Sequence, residues 1–341
     1  MVADRTFNDL IRRPVIVAPM AGGPTTTELI AAAAQAGAVG FVPAGYKSAR
    51  AMRADIDALT EVTSEPYGVN VFVPGAPGDS RAVARYLGSI AADAAALGAE
   101  TGDASWDDDD WHAKISDLVA HPVPIVSFTF GCPEPAIVAD LRAAGSSVWV
   151  TVTDPAEAAA ALAVGAACLC VQGAEAAAHR GTFTNAPGGT AGVIELTAAI
   201  RGVASVPLVA AGGVMDAAGV AAALAAGATA VQCGTAFLRC PESGAHPVYK
   251  AALADPRYGD TAVTRAFSGR PARGLVNGFL RDHQDAPAAY PEINNATRPI
   301  RAAAAAAGDA DRMSLWAGQG FRSATTRPAG EIIDMLCGPV R

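Results

Sequence analysis

Eight times along the chain a short run of apolar residues is followed by a helix-forming stretch and a break, and few folds accommodate that rhythm. The runs cover residues 14–20, 38–42, 67–73, 123–128, 147–152, 167–171, 207–210 and 229–233. They are near-continuous in Val, Ile and Ala rather than alternating with polar residues, so each strand must be buried on both faces, as in a parallel sheet. The intervening stretches carry helix signals. Thr25, Thr26 and Thr27 offer hydroxyl caps, Asp154-Pro155 sets an N-cap before a first-turn proline, and Asp216 precedes another helix. Strand and helix in series predict a closed (β/α)8 TIM barrel in the α/β class, with an open doubly wound sheet as the alternative. A chain of 341 residues suits one such barrel.

Two segments interrupt the rhythm. Residues 101–112 hold an acidic loop around Asp107, Asp108, Asp109 and Asp110, which reads as a solvated helix start rather than a metal site. Residues 240–311 read as a helical appendage over the C-terminal mouth of the barrel, a substrate or lid region. The spans 1–239 and 312–341 then form the barrel itself. Within the appendage Tyr290 and Arg298 are candidates for gating the mouth, with surface roles as their ordinary explanation.

Charge and cysteine use narrow the function. The net charge of −8, without a Lys/Arg cluster, argues against nucleic acid. No apolar run approaches the ~18 residues of a membrane span. Arg5, Asp9, Arg12 and Arg13 break up the opening residues, so no secretory signal is expected there. The six cysteines include no CxxC pair, so no metal is expected, and a reducing cytoplasm is the expected setting. A homodimer is compatible with all of this.

Barrel enzymes place their chemistry at the C-terminal strand ends. The unusual residues of this chain collect there: Ala18 and Met20 after strand one, Asn70 on strand three, Gln172 and His179 after strand six. Gly212-Gly213 and Gln232-Cys233-Gly234-Thr235 follow the last two strands, where bare backbone N–H groups suit a phosphate. Asn70 and Gln172 each carry a donor and an acceptor, as the edge of a flavin ring requires, or as hydrogen bonding between loops would equally use. His179 stands in a loop of small residues that lets a ligand come close.

These residues carry a resemblance. The segments Ala18-Pro19-Met20-Ala21-Gly22-Gly23, Asn70, Val126-Ser127-Phe128 with Phe130-Gly131, and Gln172 to Gly181 look like the nitronate monooxygenase (2-nitropropane dioxygenase-like) family of FMN-dependent barrels. So do Ala211-Gly212-Gly213-Val214, the Gln232-to-Leu238 turn, residues 268–274 and residues 315–320. The resemblance implies FMN contacts at Ala18, Met20, Asn70, Gln172, Ala177, Gly212, Gly213, Gln232, Cys233, Gly234 and Thr235, and an active-site histidine at His179. It also implies oxidation of alkyl nitronates, such as propionate 3-nitronate, by O2 to a carbonyl compound and nitrite. An NAD(P)H-dependent enoyl-acyl-carrier-protein reductase-like enzyme is the closest alternative, and a non-catalytic flavin-binding barrel a third. The family usually has two glycines just before the histidine. This chain has Ala177 and Ala178, so a backbone contact at 177 depends on a negative φ there.

Overall fold

A computed structural model describes residues 7–338, so Arg5 lies outside it. The apolar runs become β1 (Val15–Val17), β2 (Val39–Pro43), β3 (Gly68–Phe72), β4 (Ile125–Thr129), β5 (Ser147–Val152) and β6 (Cys168–Gln172). A two-residue strand, β7 (Ala178–His179), precedes β8 (Leu208–Ala211) and β9 (Ala230–Cys233). All but β7 join in sequence order into one closed parallel barrel, with helices between the strands. Closure comes from β1 against β9, pairing Ile16 with Gln232 and Val17 with Cys233. An open sheet is thereby excluded.

Local chemistry sets the helix starts. Asp154 accepts the N–H of Glu157 at 2.8 Å, Asp216 that of Gly219 at 2.8 Å, and Thr26 that of Leu29 at 3.0 Å. Each such cap contributes about 1 kcal/mol. Thr25 acts differently: its hydroxyl donates to the Ala18 carbonyl and accepts the Met20 N–H, fixing the turn after β1. Inside the barrel, Trp149 is buried between Phe7 and Phe41, each ring 5.5 Å away. The short helix Phe7–Leu10 thus plugs the N-terminal end, leaving the other end as the one that opens. Cys168 and Cys170 share this interior as buried, free thiols.

Residues 240–311 contain the expected helices, Pro247–Ala252, Gly278–Asp282 and Glu292–Ala307. They also contain an antiparallel hairpin that a wholly helical reading does not foresee: β10 (Thr261–Thr264) and β11 (Ala272–Leu275). Four-residue strands are too short for periodicity to register, and this pair finds its third strand far away in the chain. β11 adds to β7, placing Ala272 opposite His179 and Arg273 opposite Ala178. The segment after the appendage then folds back over the mouth. Gly274 bridges to Trp316, Gly318 donates to the Thr235 hydroxyl at 3.1 Å, and Gln319 donates to the Glu175 carbonyl at 3.2 Å.

The acidic loop is not simply a solvated helix start. A helix does begin at Trp111, but Asp110 makes no side-chain cap bond to it. Asp110 instead accepts the N–H of Ala49 at 2.7 Å, and Asp109 that of Tyr46 at 2.9 Å. Asp109 also pairs with the fully buried Lys114 at 2.8 Å. The loop is a brace for the segment after β2, and burial pushes the Asp109 carboxyl up to about 6.

Candidate active site at the barrel mouth

One cavity of about 190 Å³ opens at the C-terminal ends of the strands, and it gathers His179 and every position expected to contact a flavin, though not Tyr290 or Arg298. Ala18 and Met20 come from the turn after β1, Asn70 from β3, and Gln172, Ala177 and His179 from the end of β6 and its loop. Gly212 and Gly213 follow β8, and Gln232, Cys233, Gly234 and Thr235 end β9. Among the described residues no Asp, Glu, Lys or Arg lines this cavity.

Its polar character comes from backbone and amides. Gly212 and Gly213 have φ of 119° and 70°, the left-handed region that glycine occupies without strain. A Cβ at Gly213 would stand 2.9 Å from Glu175 Cβ, so the turn is also closed to side chains by contact. The N–H groups of Gly213 and Gly234 donate to no described backbone or side-chain acceptor. Two such donors at neighbouring strand ends suit an anion.

Asn70 is buried, and its amide N–H groups reach the Ser127 hydroxyl at 2.9 Å and the Thr129 hydroxyl at 3.1 Å, leaving its carbonyl oxygen open to the cavity. Gln172 is more committed to the loop. It donates to the His179 carbonyl at 3.0 Å and accepts the Gly181 N–H at 2.8 Å, so one amide hydrogen remains for a ligand. The hydrogen bonding between loops is thus seen directly, with one donor to spare. Cys170 and Cys233 also face this space, but burial pushes each thiol up to about 12, so they stay protonated and unreactive.

His179 is held on every side. Phe130, Tyr290 and Trp316 place their ring centroids 5.6, 5.5 and 5.7 Å from its imidazole. Its Nε2 lies 2.9 Å from the hydroxyl of Ser268. Burial, and then the charges of Arg270 and Arg301, lower its pKa to about 3, so the ring is neutral at ordinary pH. Arg270 is itself buried, with its guanidinium 3.9 Å above the Phe130 ring. It donates to the carbonyls of Arg180, Thr182 and Thr184, and among the described residues has no carboxylate partner. The positive charge thus stands behind the cavity wall, not in it.

Backbone strain falls beside the position suspected from the sequence. Ala177 is outside the left-handed region, whereas Ala178 has φ of 58°. The cost is of order 1–2 kcal/mol for a residue with a Cβ, held in place by the β7–β11 pairing. Tyr290 reaches the histidine, while Arg298 stays at the exposed edge of the next cavity. Sequence reasoning gave no role to Tyr46, Phe130, Trp316, Ser268 or Arg270. All but Tyr46 lie within segments that carried the resemblance, and nothing in their spacing from His179 points to contact.

Fold and mouth together define a (β/α)8-barrel enzyme with its working groups at the C-terminal strand ends. The family model described as nitronate monooxygenase matches residues 5–338, and the chain belongs to that family of flavin-dependent oxidoreductases. A Bacillus subtilis (strain 168) relative named "Probable nitronate monooxygenase" is 35% identical, covering 96% of each chain. Among solved structures, nitroalkane oxidase from Streptomyces ansochromogenes is 47% identical with a TM-score of 0.94, covering 96% of each chain. FabK from Thermotoga maritima is more distant, 28% identical with a TM-score of 0.73, over 97% of this chain and 94% of that one.

Proposed function

We propose that the cavity binds FMN and that the enzyme uses O2 to oxidise alkyl nitronates, and the nitroalkanes they come from, to a carbonyl compound and nitrite. The observation that carries this is a neutral His179 at the edge of an uncharged cavity, with guanidinium charge behind it.

The residues present fit the cofactor. The unpaired N–H groups of Gly213 and Gly234 would hold the phosphate, with Gly212 and Thr235 completing that turn. The free carbonyl of Asn70 and the spare amide hydrogen of Gln172 would meet the polar edge of the ring. Ala18, Met20, Ala177, Gln232 and Cys233 would line its faces. When bound, the flavin takes electrons from the substrate and passes them to O2.

The protein's own contribution lies on the other side of the cavity. A neutral imidazole accepts the α-proton of a nitroalkane, and the nitronate then forming beside it offsets the charge gained by the ring. A preformed nitronate needs no proton removed, and the field of Arg270 and Arg301 favours its charge. The aromatic walls Phe130, Tyr290 and Trp316 exclude water from the exchange.

The test is O2 uptake and nitrite release by the as-purified protein with ethylnitronate and with nitroethane, against NADH alone. Uptake with either nitro compound and none with NADH supports the reading. NADH oxidation with an enoyl thioester and silence with nitro compounds would instead favour the reductase-like alternative, for which the more distant structural likeness gives the weaker support.

A further inference from the structure

Four aromatic rings stand between the cavity at His179 and a second one of about 670 Å³. Phe72 and Tyr46 line both spaces, their ring centroids 5.6 Å apart. Phe130 lies 4.6 Å from Phe72 and 5.5 Å from Tyr290, which completes the row. We infer that this aromatic partition sets the length of alkyl chain the enzyme accepts: short-chain nitro compounds fit on the His179 side, and longer chains are stopped at the Phe72 ring. The inference rests on the reaction proposed above and names the substrate class within it.

The first argument is where a chain can go. A substrate with its reacting carbon at His179 meets Phe130, Tyr290 and Trp316, the three rings around the imidazole. Behind Trp316 lies core. Phe267 stands edge-on to it at 5.6 Å and stacks on Phe279 at 4.8 Å, and both are fully buried. Behind Phe130 and Tyr290 lies the second cavity, whose walls include the exposed Asp103, Ser105 and Asp107. The room for a growing chain is therefore past the partition, and the rings stand in its path. In a closed apolar pocket a single methylene is discriminated by about 10- to 200-fold.

The second argument is that the rings are fixed. Phe130 is buried with φ of 79°, and the Arg270 guanidinium lies over its ring. Tyr46 has φ of 65°, and its N–H is held by Asp109 at 2.9 Å, so the acidic loop braces the partition from outside. Two of the five described residues other than glycine with left-handed backbone thus belong to this row. Such strain persists where the surroundings impose one geometry, and it clusters where ligands are held. The Phe72 ring packs against bare backbone, for a Cβ on Gly45 would collide with it. Phe72 is half-buried and is not one of the three rings around His179, so it can be trimmed without disturbing the packing of the imidazole.

The experiment compares nitroethane, 1-nitropropane, 1-nitrohexane and 1-nitrooctane in wild type, Phe72→Leu and Phe72→Ala, with circular dichroism and flavin absorbance to show that each variant is folded and loaded. In wild type, kcat/KM on 1-nitrooctane is expected at least about 10-fold below that on 1-nitropropane. Phe72→Leu, and more so Phe72→Ala, should raise the long-chain values by about 4-fold for each methylene that finds room, and leave nitroethane unchanged. Leucine is the milder change and carries the comparison should alanine unfold the end of β3. In parallel, calorimetric titration with propionate, hexanoate and octanoate reads the same length limit without turnover. These carboxylates share the planar two-oxygen head of a nitronate and carry no nitro group. Equal use of short and long chains by wild type, or a length limit unmoved in the folded Phe72 variants, would overturn the inference. A limit in carboxylate binding that the variants relax, with no turnover of any nitro compound, would leave the partition standing and remove the reaction proposed for it.

Discussion

The Nε2 of His179 and the Oγ of Ser268 are 2.9 Å apart, and the Ser268 hydroxyl donates its proton to the Arg270 carbonyl at 3.1 Å. One hydroxyl has one proton to give, and with that proton on the Arg270 carbonyl Nε2 donates in the first bond. We assign the tautomer on that basis: Nε2 carries hydrogen, and the basic lone pair lies on Nδ1. Ser268 orients the ring, and the proposed reaction uses the Nδ1 lone pair as its base.

Replacing His179 by Ala should therefore separate two substrates. Turnover of neutral nitroethane is expected to fall by about 10²- to 10⁴-fold, the usual contribution of a positioned base. Ethylnitronate, which needs no base, should lose much less, and flavin content should hold. Steady-state kcat/KM on both substrates, with the visible absorbance of the purified variant, checks this. Equal losses on both would remove the base assignment.

Ser268→Ala removes the acceptor that selects the tautomer. A neutral hydrogen bond contributes about 0.5–1.5 kcal/mol, so a loss of roughly 2- to 10-fold is expected on nitroethane. Nitrogen NMR of labelled His179 should at the same time reveal the second tautomer. A variant with altered rate and an unchanged tautomer would assign Ser268 to packing alone.

The depressed pKa of His179 also bears on stability. Above pH 6.5 the ring is neutral in both folded and unfolded chains and contributes no pH dependence. As pH falls from 6.5 toward about 3 the unfolded chain takes up a proton that the folded chain refuses, so stability is lost across that window. Urea midpoints from pH 7 to pH 4 should fall less steeply in His179→Asn than in wild type. The converse slope would contradict a neutral, desolvated ring.

Ala178 predicts a gain. Glycine at φ of 58° relieves the left-handed strain, and after its own entropic cost Ala178→Gly should stabilise the chain by about 1 kcal/mol. Urea unfolding measures it. A destabilised variant would mean that the alanine methyl makes packing contacts worth more than the strain.

Gly213→Ala should do the opposite. It forces a Cβ to 2.9 Å from Glu175 in a backbone with φ of 70°, at a turn whose N–H is offered to a ligand. Flavin retention through gel filtration is expected to drop well before the fold is lost, as circular dichroism would report.

The barrel was legible because its signals are local. Apolar runs such as 147–152 read as strands on their own, and caps such as Asp154 and Asp216 act within three residues. The rim was legible for a related reason: glycine turns and isolated amides stand out where strands end. What surrounds His179 was not. Ser268 is 89 residues away in the chain, and the hairpin that brings it near has four-residue strands that carry no periodic signature. The acidic loop misled because a run of aspartates looks solvated, and its burial against Tyr46 depends on Lys114 lying beneath it. Strain at Ala178 instead of Ala177 is set by pairing with Arg273, which no neighbour in sequence announces.

The strand pairing of His179 with Ala272 has an evolutionary reading. The histidine is encoded in the barrel, yet its orientation is inherited from a hairpin whose own sequence touches no other part of the barrel ladder. A lineage can thus drift at positions 261–275 and shift reactivity while leaving every barrel strand intact. The same coupling makes the appendage a poor unit for exchange between relatives: a transplanted version would bring its own angle for someone else's histidine.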